Sequence, residues 1–259
     1  MKIYQVDAFA EKIFSGNPAA VCPLEKWLND DLLQKIAMEN NLSETAFYVK
    51  QGEQYEIRWF TPTVEVDLCG HATLATAYVL FNHEEHQQDT IHFYSPKSGN
   101  LTVTKHNELL TLNFPTDIYE PVPIAEFLTK GFHFQPVEAL KGKTDYVLVF
   151  ETEEQIRNMK FNLSEIAKIK GRGVIITAKG DTVDFVSRYF GPQFGIDEDP
   201  VTGSAHTTLT PYWAKKLNKT ELSAVQLSAR KGFLQCKYLG DRVEISGKGK
   251  LFLIGDIYL

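Results

Sequence analysis

Asp67-Leu68-Cys69-Gly70-His71-Ala72-Thr73-Leu74-Ala75-Thr76-Ala77-Tyr78-Val79-Leu80-Phe81 decides how this chain is read. From Gly70 to Phe81 no side chain is formally charged, and small or apolar residues fall on every side of the implied helix, the pattern of a helix buried all round. The first turn of such a helix points unpaired backbone N–H groups into the interior, where they need an acceptor; a substrate carboxylate is one. The feature returns as Asp199-Pro200-Val201-Thr202-Gly203-Ser204-Ala205-His206-Thr207-Thr208-Leu209, again an acid, a small polar residue, Gly, a polar residue and Ala. Two such helix starts predict a site built between two halves.

The halves are visible in the rest of the chain. Arg58-Trp59-Phe60-Thr61-Pro62 matches Arg188-Tyr189-Phe190-Gly191-Pro192 at an offset of 130, and Gly70-His71-Ala72 matches Gly203-Ser204-Ala205 at 133, each close to half of 259 residues. Two landmarks in order at nearly one offset indicate tandem duplication. Strand patterns at 3–9, 19–22, 44–50, 55–60, 91–94, 101–105 and 109–114, with helices at 30–40 and from 70, give the order ββαββαβββ. The order repeats with strands at 137–141, 146–150, 174–178, 183–190, 222–227, 233–238 and 243–245 and helices at 163–169 and from 203. A short helix at 124–131 precedes the second copy. Pro115, Pro121 and Pro123 read as a linker, and Pro211 should kink the second apolar helix or displace its start. The expected fold is α+β: two pseudo-symmetric halves, each a largely antiparallel sheet wrapped around a central apolar helix. The halves are residues 1–115 and 124–250, and the last strand, 251–259, crosses back to complete the first.

The composition, 43% apolar and 23% charged, is that of an ordinary globular protein, and a net charge of -6 argues against an extended nucleic-acid surface. The segment Met1 to Asp7 places an acid where a signal peptide needs its apolar run, and no stretch is long enough to span a membrane, so a cytoplasmic protein is expected. Cys22, Cys69 and Cys236 form no C-x-x-C pair, which points away from a disulfide framework or structural zinc. With no G-x-G-x-x-G after a strand and no phosphate-binding loop, cofactor-free chemistry on a small molecule is the expectation.

Glu44 stands where a polar helix end passes into an apolar strand. It is either a partly desolvated carboxylate suited to moving protons or an exposed strand-edge acid. His71, in the first turn of the buried helix, is a neutral imidazole able to donate or relay a proton, or a core histidine bonded to backbone. Ser204 matches it in position and is otherwise an ordinary first-turn residue. Asp199 either orients His71, binds a polar group of a substrate or caps the helix, and capping also accounts for Asp67, Asp197 and Glu198. Cys69 and Thr202 each precede a helix glycine. A thiol there should have a lowered pKa, fit for one base of a two-base racemase, but a threonine hydroxyl cannot serve as the other, so symmetric racemisation is disfavoured and Thr202 reads as a cap. Arg58 and Arg188 suit carboxylate forks or, more commonly, structural salt bridges. His83-Glu84-Glu85-His86 lacks the H-E-x-x-H order of a zinc site and reads as a solvated face.

Val6-Asp7-Ala8-Phe9, Gly16-Asn17-Pro18-Ala19-Ala20-Val21, Asn41-Leu42-Ser43-Glu44-Thr45, Asp67-Leu68-Cys69-Gly70-His71-Ala72-Thr73 and Glu198-Asp199-Pro200-Val201-Thr202-Gly203-Ser204-Ala205-His206 resemble the PhzF phenazine-biosynthesis-like family. The resemblance spans nearly the whole chain. It implies a diaminopimelate epimerase-like fold with a site in the cleft, no metal or organic cofactor, and commonly a homodimer. It also implies that Glu44 corresponds to the glutamate that, in the phenazine pathway member, moves a proton between ring carbons of a hydroxylated dihydroaromatic acid, with His71, Asp199 and Ser204 as the supporting residues; it does not give this chain's substrate. Cys69, Gly70, Thr202, Gly203 and Asn17 are then the substrate-binding set. The leading expectation is a cofactor-independent isomerase. The alternatives are an epimerase, racemase or dehydratase of an amino or hydroxy acid acting through Cys69, and a non-catalytic carboxylate-binding protein.

Overall fold

The alternation after Lys2 forms strand β1 (Lys2–Ala8), which is followed by β2 (Asn17–Leu24). Helix α1 (Asp30–Asn40) begins where the Asn29 side chain accepts the Leu32 N–H and ends where Asn41 turns left-handed, burying Leu33, Ile36 and Ala37 between those two signals. Strands β3 (Glu44–Gln51) and β4 (Gln54–Phe60) form a hairpin, and the two-residue β5 (Glu65–Val66) leads into α2 (Gly70–His83). Every residue of α2 from His71 to Leu80 except Tyr78 is buried, so its threonines turn inward on the helix itself: Thr73 Oγ1 donates to the Cys69 carbonyl and Thr76 Oγ1 to that of Ala72. Strands β6 (Thr90–Ser95), β7 (Gly99–His106) and β8 (Leu109–Pro115) follow.

The second copy opens with β9 (Glu120–Val122), α3 (Glu126–Thr129), β10 (Glu138–Lys141), β11 (Tyr146–Val149), α4 (Glu153–Arg157) and α5 (Leu163–Ile166). It continues with β12 (Val174–Lys179), β13 (Phe185–Gly191), a 3-10 turn at Pro192–Phe194, β14 (Ile196–Asp199) and α6 (Ala205–Leu217). It closes with β15 (Glu221–Gln226), β16 (Gly232–Tyr238), β17 (Arg242–Gly247) and β18 (Gly249–Asp256). The computed structural model describes residues 1–84 and 86–259, without the side chain of Phe194.

The fold is α+β and sheet-dominated, and the chain divides into two compact units. Unit 1 is Met1–Asn113 with Ser246–Leu259, and unit 2 is Phe114–Ile245. In unit 1, β1–β2 is antiparallel, β2–β3 parallel, β3–β4 antiparallel, β4–β6 parallel and β6–β7 antiparallel. Unit 2 repeats that order of pairings as β10–β11, β11–β12, β12–β13, β13–β15 and β15–β16. β18 pairs with β1, and β9 holds the same place beside β10. Helix α2 touches β1, β2, β3, β7 and β18, so the unit 1 sheet curls around it. Trp59, Phe47 and Leu74 are fully buried in unit 1, and each such side chain contributes roughly 1.5–3 kcal/mol of burial. In unit 2, Trp213 of α6 lies parallel to Phe185 and donates from Nε1 to Thr177 Oγ1.

Four readings of the sequence need correction. The proline-rich stretch after Pro115 contains β9, where Pro121 lies opposite Leu140 without breaking the pairing, as an edge strand permits. Helix α4 was missed, although its capping box of Thr152 and Gln155 is a start signal written in the sequence. Helix α6 runs through Pro211 and starts at Ala205 rather than Gly203, with i→i−3 bonds from Ala205, His206 and Thr207 tightening its entry. His83 and His86 are half-buried rather than solvated, because their rings pack on Tyr4 and Tyr78 and on Tyr55 and Phe81; Glu85 lies outside the described residues.

Candidate active site

Unit 1 gathers Asn17, Glu44, Cys69 and His71. Asn17 and Glu44 open the parallel strands β2 and β3, in which Ala19 lies beside Glu44, so both side chains leave the same edge of the sheet. Cys69 precedes α2 and His71 is its second residue. His71 Nε2 is 3.1 Å from Glu44 Oε2, an ion-pair contact off the hydrogen-bond line. The other ring nitrogen, Nδ1, is 3.3 Å from Asn17 Nδ2 and 3.5 Å from Cys69 Sγ. Neutral His71 accepts from Asn17 at Nδ1 and carries its proton on Nε2, facing Glu44; the imidazolium carries a proton on both nitrogens. Glu44 is 8% exposed and His71 5%, so this carboxylate is not a strand-edge acid in water.

Two electrostatic expectations reverse here. Burial alone lowers the pKa of His71, but the Cys69 sulfur and the Glu44 carboxylate against its ring outweigh burial and hold it well above the ordinary imidazole value. The helix dipole does not decide its charge. Burial, followed by the Glu44 charge, pushes the Cys69 thiol up to about 11, despite its place at a helix start and a hydrogen bond from the Ala72 N–H. Cys69 is therefore a thiol, not a thiolate, near neutral pH. Glu44, Cys69 and His71 also bring three metal-ligand donors within 4.8 Å of one another, a set that zinc accepts.

Unit 2 gathers Asp199, Thr202, Gly203 and Ser204 around the start of α6. Thr202 Oγ1 donates to Asp199 Oδ2 at 2.5 Å. Gln226, fully buried at the end of β15, donates from Nε2 to the Asp199 carbonyl at 2.7 Å and to Thr202 Oγ1 at 3.2 Å, and accepts the Thr202 N–H at 2.9 Å. Thr202 and Asp199 thus fix a loop instead of capping α6, whose N-cap, Ser204, makes no side-chain cap bond. The N-cap of α2 is Cys69, and the Asp67 carboxylate lies 3.5 Å from Lys97 Nζ. Glu198 forks onto Arg188. Arg58 makes the matching fork onto Glu65, so both arginines are structural. The N–H groups of Gly70, His71, Gly203 and Ser204 donate to no acceptor among the described residues.

Sequence reasoning missed Gln226 and the trio Arg172, Asp145 and Tyr189. Arg172 Nη2 donates to Ser204 Oγ at 2.9 Å, and the same guanidinium forks onto Asp145, which also accepts from the Tyr189 hydroxyl at 3.2 Å. Two signals were available. Arg172 is flanked by Gly171 and Gly173, and a Cβ at Gly173 would stand 2.3 Å from the Tyr189 hydroxyl. The matched pentapeptides also differ at this point, with Trp59 in one copy and Tyr189 in the other. Nothing in the sequence marks Gln226.

A family model of phenazine biosynthesis-like proteins matches residues 6–255. The chain belongs to the phenazine biosynthesis-like (PhzF) family. A Pseudomonas aeruginosa protein named as an uncharacterized isomerase is 49% identical to this PhzF-family chain, with 100% of this chain and 99% of the relative covered. The crystal structure of a PhzF-family protein from Enterococcus faecalis superposes with a TM-score of 0.97 at 52% identity, covering 100% of this chain and 99% of that one. A probable proline racemase from Agrobacterium radiobacter, at a TM-score of 0.62 and 8% identity over 100% of this chain and 93% of that one, shares the fold alone. This PhzF-family protein is an enzyme of isomerase type. Among the described residues, no helix is long and apolar enough to cross a membrane.

Proposed function

We propose that this PhzF-family enzyme moves a proton within a small carboxylic acid, cyclic or open-chain, with Glu44 as the acid/base and no cofactor. The observation that carries this reading is the buried Glu44 carboxylate set 3.1 Å from His71 Nε2, beside the start of α2. The carboxylate is held out of bulk water, and its neighbour His71 can donate to it or hold charge against it. In the step proposed, Glu44 takes a proton from a C–H bond whose electrons flow into the π system conjugated with the substrate carboxylate, and then returns that proton to another carbon. The amides of Gly70 and His71 are placed to stabilise negative charge that develops meanwhile. Asn17 and Cys69 orient the imidazole, and Asp199 and Ser204 complete the proposed catalytic set. The cytoplasmic placement expected from the sequence and the homodimer implied by the family resemblance belong to the same proposal.

The test is a screen of cyclic and α-substituted carboxylic acids for exchange with solvent deuterium. Glu44→Gln should lose exchange about 10³-fold, within the range general acid–base groups supply, while circular dichroism and the thermal midpoint show an intact fold. Ordinary exchange in that variant sinks the proposal. A mechanism through Cys69 is less well supported, because a thiol pushed up to about 11 is poorly ionised at neutral pH.

A further inference from the structure

Arg172 has no part in the proton transfer just described, yet its side chain is heavily constrained. Its Nε and Nη2 fork onto Asp145, which is 3% exposed, and Nη2 also donates to Ser204 Oγ at 2.9 Å. The guanidinium lies over the Tyr189 ring at 5.7 Å, and the Tyr189 hydroxyl donates to the same Asp145 carboxylate. The Arg172 side chain remains 37% exposed, and Nη1 donates to nothing among the described residues. Beside it the N–H groups of Gly203 and Ser204 also find no acceptor among the described residues.

The position is not an accident of loop geometry. Phe47 pairs with Arg58 and Ile176 with Arg188, so Gly173 in unit 2 aligns with Glu44 in unit 1, and Arg172 precedes it. Where unit 1 sets a carboxylate against the polar first-turn residue His71, unit 2 sets a guanidinium against its counterpart, Ser204. One arrangement suits a proton and the other an anion.

We propose that Arg172 is a specificity-determining residue that binds the carboxylate of the substrate, with Asp145 and Tyr189 as its buried support and the Gly203 and Ser204 amides as further donors. The planar fork of arginine, already fixed on one edge by Asp145, presents its remaining N–H groups to a carboxylate with little ordering left to do. The enzyme would then select acids over their amides or esters. Naming the anion as the substrate's own carboxylate rests on the isomerase reading; the anion site itself does not.

Isothermal titration of the full chain with benzoate and with neutral, isosteric benzamide tests this. The wild type should bind benzoate and discriminate against benzamide, and Arg172→Gln should weaken benzoate by about tenfold or more, the scale of one charge-assisted hydrogen bond. Arg172→Lys, which keeps the charge and should fold, should recover only part of the affinity. No binding of benzoate by the wild type, equal affinity for benzoate and benzamide, or Arg172→Gln and Arg172→Lys both binding benzoate like the wild type overturns the assignment. Glu44→Gln should retain benzoate binding. Exchange that survives in Glu44→Gln alongside Arg172-dependent benzoate binding sinks the proton-transfer reading alone. Lost exchange with Arg172-independent binding sinks only this one.

Discussion

The starts of α2 and α6 share one scaffold and carry opposite chemistry. Thr73 Oγ1 donates to the Cys69 carbonyl at 2.6 Å, and His206 Nδ1 makes the matching bond to the Thr202 carbonyl at 2.9 Å. Arg58 forks onto Glu65 over the Phe60 ring, and Arg188 onto Glu198 over the Phe190 ring. These repeated contacts hold the backbone. The side chains set against each first turn differ: Glu44 and a thiol in unit 1, Arg172 and a fixed Asp199–Thr202 pair in unit 2. On the roles proposed above, the repeated fold supplies two similar sets of first-turn amides, and divergence at a few positions beside them separates proton handling from anion handling.

The sharpest way to break that division is to remove the acid. Glu44→Gln keeps size and hydrogen bonding while deleting the proton acceptor, so the roughly 10³-fold loss of exchange predicted for it should come without a change in thermal midpoint. If the thermal midpoint falls with activity, Glu44 belongs to the scaffold instead.

The two arginine forks test whether the scaffold itself is symmetric. Arg188 is 8% exposed and also donates to the carbonyls of Ile156 and Met159, so Arg188→Ala strands several buried acceptors and should cost about 3–4 kcal/mol of unfolding free energy. Arg58 shares its charge with Asp30, whose side chain is 75% exposed, and Arg58→Ala should cost roughly 1–2 kcal/mol. Urea denaturation of both variants measures the difference, and equal losses contradict it.

Histidines near the two helix starts titrate in opposite senses. Burial lowers His206 from 6.5 to about 4, so its contribution is present above pH 6.5 and is lost as pH falls towards 4, about 3 kcal/mol in all. His71, raised instead, contributes fully below about pH 6.5 and loses that contribution as pH climbs through its folded value. His206→Thr, which copies Thr73, should flatten the acid side of a plot of thermal midpoint against pH, and His71→Gln the alkaline side. Parallel changes in both variants would mean that the two sites do not differ.

Much of this architecture is legible in the sequence because duplication writes it twice. The uncharged run from Gly70 to Phe81 marks α2, and the matched Arg-aromatic and Gly-x-Ala landmarks align the copies. What stays hidden depends on tertiary contacts. Gln226 is an ordinary strand residue until folding brings it to the 199–202 loop, and Arg172 is marked in the sequence only by the glycines on either side of it, its support showing once Asp145 is seen beneath it. The pKa of Cys69 was misjudged because the sequence shows a helix start but not burial beside a carboxylate, and burial is the larger effect.

The smallest expected effect separates the two mechanistic readings most cleanly. Cys69 matches Thr202 in position, and Thr202 uses its hydroxyl to hold Asp199 rather than to react. Cys69 lies 3.5 Å from His71 Nδ1 and is protonated near neutral pH, so a hydroxyl can take over its contact with the ring. Cys69→Ser should therefore slow exchange by less than about tenfold, the scale of one adjusted hydrogen bond. A thiolate base predicts another pattern: deuterium entering at an α-carbon, lost in Cys69→Ser and retained in Glu44→Gln. Measuring both variants on the same acid decides between them, because each mechanism makes a different one of the two side chains indispensable.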